Sequence, residues 1–491
     1  MALSIEPKPT QYIGPMDGSD FLQLDPRQVA RGARTDWLTA RIREAVLGHV
    51  LVTGSRLPPT RVLAADLRFS RGTVVEAYRR LTEEGLIDGN ARAGTIVVAQ
   101  AQHPPAASGH VRHAEDRSGS AGIDAPRSLD VIDLAAGLPD LASFPRTAWL
   151  RAENEALSTA TTRQLGYGRP EGVEELRREL SGWLSRSRGV TAPPDRIIVT
   201  AGVTGAVSLL AQVLRTNGHT TVAVEDPSAE GSRRILHYWM PDVSPVPVDD
   251  DGIETRSLAE SGAHAVLVTP AHQYPTGVVL SPDRRRELVA WTRDGENLII
   301  EDDYDAEYRY DRRPVRAVQP LAPDAVAYTA SLSKTLAPAL RLGWLVPPAH
   351  LHRELVELRW ATDLGSPALP QLTLALLLAN GTLERHLRVM RSRHRVRRDA
   401  AVTAIRESIP ALHIGGVAAG LHLVVRLPEQ LDDEHVAADA RAEGVIVQPL
   451  SRHYAGSGAP GLIINYAGHH PARLQTAISA IARVVAGRTT G

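Results

Sequence analysis

A chain of 491 residues is too long for one hydrophobic core, so two or three domains are expected. With a formal net charge of −1, 43% hydrophobic and 23% charged residues, it has ordinary globular composition, and any nucleic-acid contact must come from a local basic patch. The lack of cysteine excludes disulfides, thiolate metal sites and cysteine nucleophiles, and with neither an apolar signal core in residues 1–20 nor an apolar run of about 20 residues, the cytoplasm is the expected location, with no membrane contact.

Of the 55 basic residues only Lys8 and Lys334 are lysines, leaving 53 arginines. Compositional bias accounts for the excess. It also sets Lys334 apart, because arginine would fill any general cationic role deep in the chain, whereas only lysine forms an imine with an aldehyde.

Residues 1–34 read as an N-terminal arm and 35–98 as a compact helical unit ending in two short strands. Trp37, Ile42, Ala45 and Val46 give a first helix over 37–50 its apolar face. Pro58-Pro59 stops the chain, and Thr60 is expected to cap a second helix over 61–67. Ser70 is the expected N-cap of a third, over 71–84, where Val74, Tyr78 and Leu81 form a buried stripe. Two helices around a tight turn, the second with an exposed N-terminus, make a helix-turn-helix that presents Ser70, Arg71 and Thr73 to bases or phosphates. Leu86-Ile87, a turn at Gly89-Asn90 and residues 95–98 then read as a hairpin wing with Arg92 and Gly94 near its tip. Nine arginines against seven acids over 36–98 leave a small protein-interaction domain open as the alternative. The run LPPTRVLAADLRFSRGTVVEAYRRLTEEGLIDGNARAGTIVV (57–98) resembles the GntR class of winged helix, however, and that resemblance implies DNA contacts from Arg61, Ser70, Arg71, Thr73 and Gly94.

Residues 99–130, rich in Ala, Ser, Gly, His and Pro, read as a flexible linker. The remainder, 131–491, reads as an α/β body. Apolar runs at 197–200, 221–224, 265–269, 298–300 and 326–329 alternate with helical stretches, which argues a largely parallel sheet covered by helices. Amphipathic helices and the strand LHLVV (421–425) suggest a smaller C-terminal α/β part from about 345 onward.

Three segments of the body carry chemistry. YTASLSKTLAPALRLGWL (328–345) runs from a strand into a loop holding Ser331, Ser333, Lys334 and Arg341, two hydroxyls and a guanidinium fork of the kind a phosphate dianion needs. IIVTAGVTGAVSLLAQVL (197–214) passes through Gly202 into a helix whose N-terminus, at Val203-Thr204, is a second anion site. In LIIEDDYDAEYRY (298–310) Asp302 follows a buried strand and Tyr304 lies two residues on. An acid there suits the pyridine nitrogen of pyridoxal 5′-phosphate (PLP), which it keeps protonated, and Tyr304 could reach the ring oxygen. An acidic loop is otherwise a solvated turn or a metal site; the lysine loop favours the cofactor, and no metal is expected.

Together with LGYGRPEGVEELRRELSGWLSRSRGV (165–190) and TPAHQYPTGVVLSPDRR (269–285), these segments resemble fold-type I aminotransferases, and HQYPTG, EDDYD and SLSK resemble the MocR family, a GntR head fused to such a body. The resemblance implies Lys334 as the cofactor lysine, Asp302 at the pyridine nitrogen, Tyr304 at the ring oxygen, Ser331, Ser333 and Arg341 at the phosphate, and Tyr167 reaching a partner subunit's cofactor. The chain departs from the family at DPSA (226–229), where DPGY is common: Ala229 replaces a stacking aromatic, and Gly231 stands where an arginine is sometimes found. IINYAG (463–468) lacks the C-terminal carboxylate-binding arginine, leaving Arg452 as the candidate for an effector carboxylate. The expectation is a homodimeric, PLP-dependent regulator of double-stranded operator DNA that senses PLP or an amino acid. The alternative is a working aminotransferase with a vestigial or autoregulatory head.

Overall fold

The computed structural model describes residues 22, 24, 29–48, 50–90, 94–98, 131–135, 137–293, 297–310 and 315–489. Most of the expected arm, the whole linker over 99–130 and Arg92 lie outside the described residues. The chain divides into two compact units, Met1–Ile123 and Asp124–Gly491.

Among its described residues the head holds three α-helices, Arg34–Leu47, Thr60–Asp66 and Arg71–Glu83, and an antiparallel hairpin of Ile87–Asn90 with Gly94–Val97. Its core joins Leu38, Ile42 and Val46 of the first helix to Leu63, Val74, Tyr78 and Leu81 of the next two and to Ile87 and Val97 of the hairpin. The second helix begins one residue earlier than expected. Pro59, extended at φ −55° and ψ 141°, occupies the N-cap, Thr60 is the first helical residue, and no side chain caps it. Ser70 does cap the third helix, its hydroxyl accepting the Thr73 N–H at 3.2 Å. Gly89 and Asn90 pair with Thr95 and Gly94 and so lie in the strand, not in the turn.

The body is built on an eight-stranded sheet. From edge to edge it runs Ile198–Thr200, Gly343–Val346, Val326–Ser331, Leu298–Asp303, Ala265–Val268, Thr221–Asp226, Asp242–Asp249 and Gly252–Ile253. The strands from Val326–Ser331 through Asp242–Asp249 are mutually parallel, as the alternation of strand and helix requires. Helix Gly202–Thr216 buries Ala206, Val207, Leu210 and Leu214 on one sheet face, and helix Pro282–Trp291 buries Leu288 and Trp291 on the other.

A four-stranded sheet, in the order Ile414–Gly415, His422–Arg426, Gly461–Asn465 and Gln448–Pro449, forms the smaller part. Helices Thr382–Ser408, Asp433–Ala442 and Pro471–Thr489 bury Leu387, Val436 and Ile478 in the core they share with it. Its limits differ from a simple cut at 345. Strand Gly343–Val346 and Leu351 and Leu355 of helix Ala349–Asp363 belong to the large sheet and its core, while Ile132–Asp133, at the start of the body, pairs in parallel with Val445–Ile446. No described helix is long and apolar enough to cross a membrane.

Candidate cofactor cavity and recognition helix

Parallel strands that enter one sheet in the same direction end at the same edge, and in such sheets ligands bind beyond the carboxyl ends. Here Glu225, Asp302 and Ser331 sit at the ends of three parallel strands, and Thr269 follows a fourth, which lies between those of Glu225 and Asp302. They line one cavity of about 580 Å³, with Val203, Thr204, Tyr274, Tyr304, Ser333, Lys334 and Arg341 among the other residues of its wall. Sequence segments over a hundred residues apart thus converge because strand order, not chain order, sets the neighbours.

Lys334 donates to the carbonyl oxygen of Gly137. Burial holds its amine below the usual lysine range, against the opposing pull of Asp302 and Asp305, which raises the fraction present as a nucleophile. Asp302 is pushed up to about 8, by burial first and by the adjacent Asp303 second, with Lys334 opposing. Its Oδ1 is buried and has no hydrogen-bond partner. An unpartnered buried carboxyl is costly unless something outside the chain completes it.

Arg341 adopts a left-handed backbone, φ 48°, which turns its guanidinium back to donate to the carbonyl of Ala201. A Cβ on Gly202 would lie 3.4 Å from Arg341 Nη1, so the glycine leaves that approach open. Thr204 stands in the first turn of helix Gly202–Thr216, where unpaired amides favour an anion. Ser331 and Ser333 share the lysine loop, the Ser333 N–H donating to Ser331 Oγ at 3.4 Å. The Tyr304 hydroxyl lies 3.1 Å from His272 Nδ1, which is itself 3.0 Å from the Asp305 carboxylate, so a buried chain of polar groups orients the phenol. Burial raises the Tyr304 hydroxyl well above its ordinary value, with Asp305 adding to the effect, and keeps it protonated.

Two expected residues lie elsewhere. Tyr167 is 94% exposed and does not line the cavity. Arg452 is half-exposed and ion-paired with Glu434 at 3.4 Å. It sits in the 3-10 turn Ser451–His453, where successive side chains diverge by about 120°. That rotation sends His453 into the cavity wall and Arg452 out of it. The sequence reading missed Ser228, Glu225 and His453 as wall residues: in DPSA it weighed Ala229 and not Ser228, and Glu225 and His453 carry no motif of their own. Ala229 and Gly231 do line the cavity, so the two departures from the family pattern fall within the site. The ring of Tyr274 packs edge-on to Tyr304 with centroids 5.9 Å apart. Among the described residues no cluster of His, Asp and Glu could hold a metal ion.

In the head, the recognition helix presents Arg71 in the open, and Arg61 is exposed at the start of the preceding helix. Neither makes an ion pair among the described residues. Arg79 and Arg80 instead neutralise Glu76, Glu83 and Asp36. Hydrogen bonds from Arg79 and Arg80 hold Glu76 down to about 2. Among the described residues, Arg61 and Arg71, with Arg68 between their helices, are exposed arginines left without an ion pair. Thr73 Oγ1 is 2.9 Å from Ser70 Oγ, so both hydroxyls serve the cap as well as facing outward. Gly94 opens the second wing strand at φ 79°, a conformation in which any side chain is strained.

Known proteins share both units. Residues 35–97 match the gntR family of bacterial regulatory proteins, and residues 129–481 match aminotransferase class I and II. The HTH-type pyridoxine biosynthesis transcriptional regulator PdxR of Corynebacterium glutamicum is 32% identical over 451 residues, 91% of this chain and 95% of that protein. The probable rhizopine catabolism regulatory protein MocR of Rhizobium meliloti is 31% identical, over 90% of this chain and 92% of its own. Among solved structures, the kynurenine aminotransferase of Pyrococcus horikoshii, determined with PMP, superposes with a TM-score of 0.68 at 26% identity, covering 73% of this chain and 91% of that one.

The cavity fits PLP on its own chemistry. A buried carboxyl lacking a partner, a buried amine, and a guanidinium beside two serine hydroxyls and a helix N-terminus match in turn the pyridine nitrogen, the aldehyde and the phosphate. Sharing its order of domains with relatives that it matches over some nine-tenths of its length, the chain belongs to the MocR-type, GntR-headed family of helix-turn-helix transcription regulators, with an aminotransferase-like, PLP-binding body.

Proposed function

We propose that this chain is a PLP-dependent regulator in which occupancy of the Lys334 cavity changes the affinity of the head for operator DNA. The observation that carries the reading is Asp302 Oδ1, buried and unpartnered in the same cavity wall as Lys334 and Arg341. Lys334 holds the cofactor, Asp302 faces its ring nitrogen, Tyr304 its ring oxygen, and Arg341, Ser331, Ser333 and the helix start at Val203-Thr204 its phosphate. When bound, PLP supplies an electron-poor ring and an aldehyde open to primary amines. The chain's own groups do the positioning: the depressed Lys334 amine is available to the aldehyde, Asp302 holds a proton at the ring, and His272 with Asp305 fixes Tyr304.

On the DNA side, Arg71 and Thr73 read base edges or phosphates from the helix start, Ser70 and Arg61 add phosphate contacts, and Gly94 lets the wing approach the backbone. The body pairs with a second copy, and the exposed Tyr167 reaches into the partner's site, which sets two heads on one operator. PLP itself is the favoured signal. The cavity wall carries Ala229 and Gly231 where the family often has an aromatic and an arginine, Arg452 lies outside it, and one relative named above is a regulator of pyridoxine biosynthesis.

Operator binding should be measured by fluorescence anisotropy on DNA from upstream of the gene, with apo-protein and increasing PLP. The reading predicts a shift of tenfold or more in Kd, about 1.4 kcal/mol of coupling. Unchanged affinity at saturating PLP would refute it.

A further inference from the structure

We propose that Ser228 and His453 form a second ligand subsite in the cavity wall, built to take a hydrogen-bond donor such as a hydroxyl or an amine and to refuse a carboxylate. The inference rests on the cofactor part of the function proposed above, and holds whether or not PLP is itself the signal.

Both residues line the cavity, and they are only 8% and 2% exposed. Ser228 Oγ and His453 Nε2 are each buried without a partner. They arrive from different halves of the body, Ser228 from the loop after strand Thr221–Asp226 and His453 from the turn Ser451–His453. The two segments are latched together. The Ser228 N–H donates to the His453 carbonyl at 2.9 Å, the Ala455 N–H to Asp226 Oδ1 at 2.8 Å, and Arg233 to the carbonyls of Arg452 and His453.

The geometry fixes which hydrogen is wanted. His453 Nδ1 lies 3.0 Å from the carbonyl oxygen of Ser228. A carbonyl only accepts, so Nδ1 carries the ring hydrogen. Burial keeps the imidazole neutral, pushing it down to about 4, with Arg233 and Arg452 acting in the same direction. Nε2 is therefore a bare lone pair. A buried acceptor of this kind is satisfied only by a donor, which a carboxylate does not have. The surrounding charge agrees. Glu230 lines the same cavity, Arg233 is committed to backbone carbonyls, and Arg452 is paired with Glu434 outside. Among the described residues of the wall the lysine and arginine side chains are Lys334 and Arg341, on the lysine loop. A ligand bridging Ser228 and His453 would touch both halves of the body at their latch.

PLP-loaded protein should be titrated with 3-amino-1-propanol and with β-alanine, two primary amines of equal length ending in a hydroxyl or a carboxylate, and followed by the absorption of the bound cofactor. The amino alcohol is expected to bind at least tenfold more tightly. His453→Phe removes the acceptor and should bring the ratio towards one, and Ser228→Ala, which leaves Nε2 in place, should weaken the amino alcohol without reversing the preference, while PLP content stays at the wild-type level in both. Ser228→Ala removes only a hydroxyl without a partner, so its melting temperature should hold, and its affinity for the amino alcohol tests the subsite even if His453→Phe misfolds. Equal or tighter binding of β-alanine to the loaded wild type, or an affinity for the amino alcohol that Ser228→Ala leaves unchanged, overturns the subsite alone. Failure of the wild type to take up PLP overturns the cofactor reading and the subsite with it.

Discussion

Asp302→Asn should change how the stability of the cofactor-free protein responds to pH. The Asp302 carboxyl ordinarily titrates near 3.8, and in the folded chain burial, followed by the charge of Asp303, pushes it up to about 8. A folded state that holds a proton the unfolded chain has released loses stability as pH rises between the two values. The window therefore runs from about 4 to about 8, and within it each pH unit removes up to about 1.4 kcal/mol. From about pH 6 to about pH 7.5 the loss is about 2 kcal/mol. Asparagine has the same shape and does not titrate, so the variant escapes this term. Glu225, Glu301 and Glu307, each pushed up to about 7 by burial, titrate in both proteins and largely cancel in the comparison. Thermal or urea melts of apo wild type and Asp302→Asn at the two pH values should show the balance moving towards the variant by about 2 kcal/mol as pH rises. Added PLP should stabilise the wild type more than the variant, because the variant has lost the acid at the ring nitrogen. A stability difference that is flat with pH, or that moves the other way, would refute the assignment of a neutral, buried Asp302.

Borohydride treatment of the PLP-loaded protein should fix the cofactor to Lys334, the sole lysine beyond the N-terminal arm, and Lys334→Ala should abolish the label; peptide mass mapping that finds it on Lys8 would reject the site. Arg71→Ala should weaken specific operator binding by about 1–3 kcal/mol if Arg71 reads a base, and leave PLP uptake unchanged; an unaltered mobility-shift titration would reject that role. The loaded protein should sediment as a dimer at micromolar concentration on an operator carrying two copies of one short element, and a loaded monomer would count against the proposed assembly.

What the sequence made legible was what is local. Ser70 caps the recognition helix through a hydroxyl three residues from its donor, and Val74, Tyr78 and Leu81 are buried because helical period alone puts them on one face. The parallel sheet was likewise readable from runs such as 221–224 and 298–300 alternating with helices. The errors came where two local rules compete. Thr60 is a good cap by type, but Pro59 already holds the extended conformation that the cap position needs. Gly89-Asn90 is a good turn by type, yet both residues pair across the hairpin. In the body, the lysine loop, Asp302 and the Gly202 helix each carry a motif and converge as expected. The meeting of Ser228 with His453 was not legible, because it arises only through packing between segments more than two hundred residues apart. Choosing between Arg452 and its neighbour His453 needed the phase of a single 3-10 turn, which no periodicity in the sequence records.

Coupling of cofactor occupancy to DNA binding within one chain is read out by measuring PLP affinity twice, with the operator absent and with it saturating. Coupling between two binding sites is reciprocal, so whatever factor PLP imposes on operator affinity must reappear as the same factor imposed by the operator on PLP affinity. A change of tenfold or more is expected, equal in size to that seen in the DNA titration. Identical PLP affinities with and without operator would contradict it.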